Sequence, residues 1–334
     1  MKPTQQSGMA LLMVLMIFAM VSIVATGIIQ SQSADIQRIT NRLGTQQARA
    51  FADGAESVVR TGLYLDWDND PDIDHYLEEW TVERTFPMEP GTVFVRISDL
   101  QGRFNLNWLH PKAANRTVWW QRLRNLLKRL EVDPIVANYV SDWMDETSQA
   151  DDTYLSQDPP YRAAYRICKH TSELMLIEGV TTEIYQQLLP YVTCLPMDTQ
   201  LNINTASASV LSALDSRMTV AEAEQVISAR DKNGIAAVAD FLALDAVSTY
   251  AKPPSSNNTA ANNGNQQSTK KPWDANDFSV RSEYFEGFTR VEMGDSGDWV
   301  ATNEFLLKRD VATGYIDTWY RDFSRREARP LPQN

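Results

Sequence analysis

Five carboxylates fall within eleven residues of this 334-residue chain: Asp142, Asp145, Glu146, Asp151 and Asp152, in the run from Ser141 to Tyr154. At that density the charges repel one another unless something positive sits among them. A hard cation taking about six to eight oxygen ligands would remove the repulsion and fix the loop, and Ca²⁺ tolerates the irregular geometry such a run offers. Asp142, Asp145, Asp151 and Asp152 are the expected side-chain ligands, with backbone carbonyls completing the shell; a solvated acidic loop is the alternative. A second acidic stretch, Asp66 to Asp74, begins like an EF-hand loop. Pro71 stands where that loop needs its turn glycine and Leu77 where it needs a bidentate glutamate, which counts against metal there.

Other reactive residue types are sparse. Cys168 and Cys194 are the only cysteines, 26 positions apart. In an oxidising compartment such a pair reads most simply as a disulfide, and otherwise as two separate buried thiols. His75, His110 and His170 are scattered, and none forms a helical metal-ligand pair. No nucleophile-elbow, Walker or dinucleotide-binding motif occurs, so the sequence points away from an enzyme. Leu201-Asn202-Ile203-Asn204-Thr205-Ala206, followed by Val210, Ala221, Val226 and Phe241, looks like a helix-hairpin-helix or SAM-like repeat. Its hairpin, Asp215 to Met218, lacks the Gly-x-Gly that lets backbone amides approach phosphate, and these helices read as scaffold.

These residues must be carried by elements that the sequence also marks. Met9 to Ile29 is a run of 21 uncharged residues, about the length a helix needs to cross a bilayer. It is longer than a secretory signal's apolar core and no cleavage site follows it. The apolar positions Ile39, Leu43, Phe51, Ala55, Val58 and Leu63 then keep helical spacing, so the helix is expected to continue to about Leu65, roughly 85 Å in all. Strand signals follow at Thr92 to Ile97 and Phe104 to Leu109. Helical patterns fill Pro111 to Tyr250, and strands return at Phe278 to Met293, Trp299 to Leu307 and Tyr315 to Phe323.

The order implies an α+β fold: a pilin-like long N-terminal helix packed on an antiparallel sheet, with a large all-α, SAM-like or helix-hairpin-helix-like domain inserted between the strands. The expected divisions are a leader over residues 1–8, a transmembrane part over 9–29, an amphipathic stem over 30–65 and the first part of the pilin-like domain over 66–110. An inserted helical domain over 111–251, a linker over 252–272 and the C-terminal strands over 273–330 complete the chain. A formal charge of −12 disfavours nucleic acid and anionic lipid as partners. Lys2 before the apolar run and Arg38 and Arg42 after it leave the positive-inside rule nearly silent.

The Gly8-Met9 junction resembles the leader of type IV pilins and type II secretion pseudopilins, cut before the apolar helix by a prepilin peptidase. Together with Asp142-Trp143 to Tyr154, Pro159-Pro160-Tyr161-Arg162-Ala163, Ser172-Glu173-Leu174, the Leu201 to Ala206 motif and the returning strands, it resembles the K-type minor pseudopilin family of the type II secretion system over its full length. That resemblance implies cleavage leaving a methylated Met9, a Cys168–Cys194 disulfide and bound Ca²⁺. It further implies an inner-membrane anchor with the bulk in the periplasm, and I- and J-type minor pseudopilins as partners at the pseudopilus tip. The major pseudopilin lies below, the prepilin peptidase and the inner-membrane assembly platform act on the subunit, and the secretin or exported substrates are further candidate contacts. Asp151 stands where the family commonly has glutamate and Thr147 where another acid often stands. Pilins generally carry a glutamate at the fifth mature position; here it is Met13, which implies a subunit that can sit first. A type IV pilus minor pilin and a membrane-anchored DNA receptor are the competing classes.

Overall fold

The computed structural model describes residues 7–89, 91–230, 233–251, 273–294 and 297–332; the expected linker and the first six leader residues lie outside them. Helix α1 runs unbroken from Ser7 to Asn69, a rise of about 95 Å. No proline interrupts it, and Pro71 sits just past its end, where a ring that cannot donate to the helix belongs. Residues 9–43 are exposed throughout. From there one face turns inward: Ala48, Ala52, Ala55, Val59 and Leu63, three or four apart, are buried. Their small size lets the helix lie close against a sheet.

That sheet has five antiparallel strands in the order β1-β2-β7-β8-β9. They are β1 (Arg84–Met88), β2 (Gly91–Asp99), β7 (Tyr284–Met293), β8 (Trp299–Arg309) and β9 (Ile316–Asp322). Strand β2 pairs with β7 along its whole length, with Val93 opposite Val291, although the intervening chain forms an entire second unit. Helix α1 packs across β7 and β8, with lesser contact to β2 and β9. Val93, Val95, Phe285, Val291, Phe305 and Leu307 close the core beneath it.

The second unit holds α2 (Arg116–Arg129), α3 (Val136–Met144), α4 (Asp151–Tyr154), α5 (Thr182–Leu188), α6 (Ala208–Ala213), α7 (Val220–Ala229), α8 (Val238–Ala243) and α9 (Asp245–Ala251). Two short parallel pairings stitch it: β3 (Phe104–Asn105) with β4 (Val192–Thr193), and β5 (Leu201–Asn202) with β6 (Phe278–Ser279). Its core is continuous, with Trp108 stacked on Trp119 at 3.8 Å and the buried Arg122 guanidinium 4.3 Å over the Trp119 ring.

Two expectations are corrected and one strand is added. Phe104 to Leu109 is not a second strand of the main sheet: only Phe104–Asn105 is strand, Leu106–Leu109 is a 3₁₀ turn, and all are buried in the second unit. Asn105 and Asn107 turn their side chains inward, and both become turn and core hydrogen-bonding groups. The helix expected around Ser172 to Glu178 is a 3₁₀ turn over Thr171–Leu176. Strand β1 was not marked by its sequence, because Pro87 argues against a strand; as the sheet's edge, β1 has no neighbour on its outer side to need that missing N–H.

Candidate functional site

The side chains that could act lie in four places, and the first is α1 itself. Met9 and Met13 sit fully on the exposed part of the helix, 67% and 63% accessible, with Gly8 one residue before them in the same helix. The head grips the far half of α1 through Glu56. This buried carboxylate accepts from Arg321 Nε at 2.6 Å and Nη2 at 2.8 Å, from Thr318 Oγ1 at 2.8 Å and from Asn303 Nδ2 at 3.2 Å. Burial alone would raise its pKa; the bonds from Arg321 and Thr318 reverse that and hold it below its ordinary value. Glu56 stands four residues after Ala52 and three before Val59, so helical spacing puts this acid on the buried face of α1.

The disulfide is formed, joining Cys168 and Cys194 with Cα atoms 5.5 Å apart. Asn107 cradles it: Nδ2 donates to the carbonyls of Cys168 and Leu195, both at 2.8 Å, and Oδ1 accepts from the Cys168 amide at 2.7 Å. The Leu201 to Thr205 motif is a structural knot. Asn202 Nδ2 donates to the Asp74 carbonyl at 3.1 Å, to Asp99 Oδ2 at 3.2 Å and to Ser282 Oγ at 2.8 Å. Asn204 exchanges two hydrogen bonds with the Ile235 backbone. The motif therefore ties the second unit to the sheet and to the loop after α1.

The third place is the acidic run. Asp145 ends α3, its Oδ1 accepting from the Thr147 amide at 2.9 Å and hydroxyl at 2.6 Å while Oδ2 meets Arg116 at 3.3 Å. Those Thr147 bonds hold its carboxyl below the ordinary value. Asp151 accepts from the Ala163 amide at 3.0 Å and pairs with Arg162 at 3.1 Å. Asp142 lends its carbonyl to Ser148, and its carboxyl is raised by burial and by Asp145. Asp152 is exposed. The donor set is all oxygen, as Ca²⁺ requires, yet the four carboxylates do not form a ready cage: arginines close two of them.

Among the described residues, the group of three carboxylates whose oxygens all lie within 4.8 Å of one another is Asp66, Asp74 and Glu78. Glu78 falls one residue beyond the twelfth position of an EF-hand loop begun at Asp66, so that spacing does not mark it. Buried Arg309, far along the chain on β8, binds Asp74 through Nη2 and lies 3.5 Å from Asp66 through Nη1. His75 Nε2 is 3.6 Å from Glu78, which also accepts from the Trp80 indole. Burial first, then repulsion by Asp74, pushes Asp66 up to about 7. Burial, then Asp66 and Asp74, pushes Glu78 up to about 8.

An exposed apolar helix continuing into a sheet, with a helical unit spliced between two of its strands, defines a pilin-like subunit whose helix is long and apolar enough to cross a membrane. Models of the family described as "Type II secretion system (T2SS), protein K" match residues 102–197 and 201–261. The type II secretion system protein K of Pseudomonas aeruginosa is 36% identical over 254 residues, covering 71% of this chain and 76% of that protein. The Klebsiella pneumoniae protein K is 30% identical over 312 residues, covering 87% and 90%. A chain in the crystal structure of the GspK-GspI-GspJ complex from enterotoxigenic Escherichia coli aligns with a TM-score of 0.70 at 26% identity, over 86% of this chain and 99% of that one. The chain belongs to the type II secretion system protein K family, and its role is that of a minor pseudopilin.

Proposed function

We propose that this minor pseudopilin caps the pseudopilus tip and initiates its assembly, for export of folded proteins across the outer membrane, acting as a structural and not a catalytic subunit. The observation that carries the proposal is the size of the unit spliced between β2 and β7. A repeated shaft subunit must pack tightly on copies of itself, and a head this wide would obstruct such packing while still fitting above it. Met13 supports the same position, since a buried carboxylate at that depth is costly unless paired and a first subunit has no terminus ahead of it to neutralise. The relative whose title names a GspK-GspI-GspJ complex supports I- and J-type minor pseudopilins as partners. Quantitative mass spectrometry of sheared pseudopili with immunogold labelling tests this. Few copies confined to one end are expected; labelling along the shaft at copy numbers near the major subunit would overturn it.

The finer parts of the proposal are these. Cleavage falls at Gly8-Met9 on the cytoplasmic side, leaving a methylated Met9, an anchor in the inner membrane and the head in the periplasm; N-terminal sequencing should begin at Met9. The α6–α7 pair is SAM-like scaffold without a nucleic-acid role: Asp215 in its hairpin is paired with Arg217 at 3.1 Å. Ca²⁺ binds the acidic run through Asp142, Asp145, Asp151 and Asp152, favoured where Asp142 and Asp145 repel and displacing Arg162 from Asp151. Millimolar Ca²⁺ should then raise the melting temperature over chelator, and Asp151→Ala/Asp152→Ala should abolish the rise.

A further inference from the structure

Helix α1 leaves one flank of the sheet uncovered. It crosses β7 and β8, while β1, the edge strand paired with β2, is exposed over Arg84, Thr85, Phe86 and Pro87. Of β2, Val93 and Val95 lie buried beneath α1 and Ile97 is half-buried, so the uncovered flank is β1 together with the Ile97 end of β2. Between that flank and α1 runs a groove of about 590 Å³. Its apolar walls are Val58 and Leu65 from α1, Leu77 and Val82 from the following loop, and Phe86 and Ile97 from the strands. All of these except Ile97 are among the exposed large apolar side chains, with Leu77 67% and Val58 61% accessible.

Two further features say what such a groove would take. Gly62 lines it, and a methyl group built on Gly62 meets nothing within 4 Å. A glycine inside a helix costs about 1 kcal/mol relative to alanine, and here it opens the helix backbone to close approach by another helix. Asp66 and Glu78 also line the groove. They belong to the cluster of three carboxylates whose guanidinium, Arg309, is already bound to Asp74. Asp66 Oδ2 is buried with Arg309 Nη1 3.5 Å away. The apolar groove thus ends on three carboxylates that share one guanidinium.

We infer that this groove docks an amphipathic α-helix whose apolar face covers β1 and the Ile97 end of β2 and whose lysine or arginine inserts between Asp66 and Glu78. The inference is independent of tip position. The ammonium adds a second positive charge beside Arg309, so binding favours the carboxylate forms of Asp66 and Glu78 and releases protons. Affinity therefore rises with pH between about 6 and 8, below the titration of a lysine. The other charged groups lining the groove are Glu79 and Arg84; Asp70, Asp74, His75 and Arg309 face Asp66 and Glu78 from behind it. Arg84 is engaged by Glu79, and His75 by Glu78.

The test uses the full chain in phosphatidylcholine nanodiscs and a blocked amphipathic peptide of about four helical turns with a leucine face and one central lysine. Glutamine and glutamate versions of that position serve as comparisons. Isothermal titration calorimetry in two buffers of different ionisation enthalpy, with empty nanodiscs subtracted, reads affinity and protons together. The lysine peptide should bind about tenfold tighter than the glutamine one, the factor of a single charge-assisted hydrogen bond, and should release protons at neutral pH. Val58→Asp should abolish binding, Glu78→Gln should remove the lysine preference, and Val220→Asp on the second unit should change neither. Equal affinity for lysine and glutamine peptides, binding without proton release, or undiminished binding to Val58→Asp would each overturn the inference.

Discussion

Replacing Glu56 by alanine should detach the head from its own helix more effectively than any other single surface-to-core change on α1. The carboxylate is 3% exposed and collects two bonds from Arg321 and one each from Thr318 and Asn303. Arg321 is half exposed, so its pair is screened and counts for about 1 kcal/mol. The threonine and asparagine bonds add about 1 kcal/mol each, because their removal leaves polar groups unpaired in the interface. A loss of about 3 kcal/mol follows, or about 8 °C in melting temperature for a head of this size. The effect depends on pH in a definite direction. A carboxyl held below its ordinary 4.5 contributes stability that is complete above that value and disappears as pH falls through the lower folded value. Thermal unfolding of the full chain in detergent, followed by tryptophan fluorescence, should show the wild-type advantage at pH 7 and its decline towards pH 3. Unchanged melting of Glu56→Ala at pH 7, or an advantage undiminished at pH 3, would refute this account of the anchor.

Other outcomes follow from the same structure. Cys194→Ser should lower stability by about 3 kcal/mol, the chain-entropy value for a loop of this size, and peptide mapping under non-reducing conditions should recover Cys168 joined to Cys194. Gly44→Ala should destabilise the head, because the new methyl group would lie 2.3 Å from the Trp299 ring; Gly54→Ala, with open space around it, should be neutral or stabilising on the same melting assay. Glu78→Gln should stabilise the chain at pH 9 and not at pH 5. A carboxyl raised to about 8 imposes a penalty absent at low pH that grows as pH climbs from its unfolded to its folded value; equal stabilisation at both pH values would contradict this origin.

The long helix and the C-terminal strands were legible because their signals are local. An uncharged run followed by apolar residues at helical spacing yields the extent of α1, but not its packed face: Ile39, Leu43, Phe51 and Val58 are exposed, and the sheet is met by Ala48, Ala52, Ala55, Val59 and Leu63; aromatic and β-branched stretches yield β7, β8 and β9. Phe104 to Leu109 misled because alternation of apolar and polar residues also describes a buried turn in which Asn105 and Asn107 point inward to partners supplied from Cys168 and Leu195. Strand β1 was hidden by Pro87. At the candidate sites, the acid density around Asp142 to Asp152 was visible, but the destinations of those carboxylates depend on Arg116 and Arg162, whose positions the fold decides. Asp66 and Asp74 were noticed; their convergence with Glu78 requires Arg309, which joins them from more than 200 positions away. A count of acids across residues 66–79, without a template, would have flagged the region.

The unbroken course of α1 also makes it a push-rod. Between the apolar segment and Gly44, residues 30–43 are exposed helix, so a bilayer crossed by the apolar segment would lie about 20 Å from the head. Any movement of one end along the helix axis moves the other equally, since no kink absorbs it. The holding force at the lower end is modest. Met9 to Ile29 contains eleven leucine, isoleucine, valine and phenylalanine residues, and at about 0.45 kcal/mol each they retain the segment by about 5 kcal/mol. One lateral interface with neighbouring helices can match that sum. A segment so held in a bilayer would yield when the helix is lifted, with the load reaching the head through the Glu56–Arg321 clamp and the face of Trp299 against Gly44.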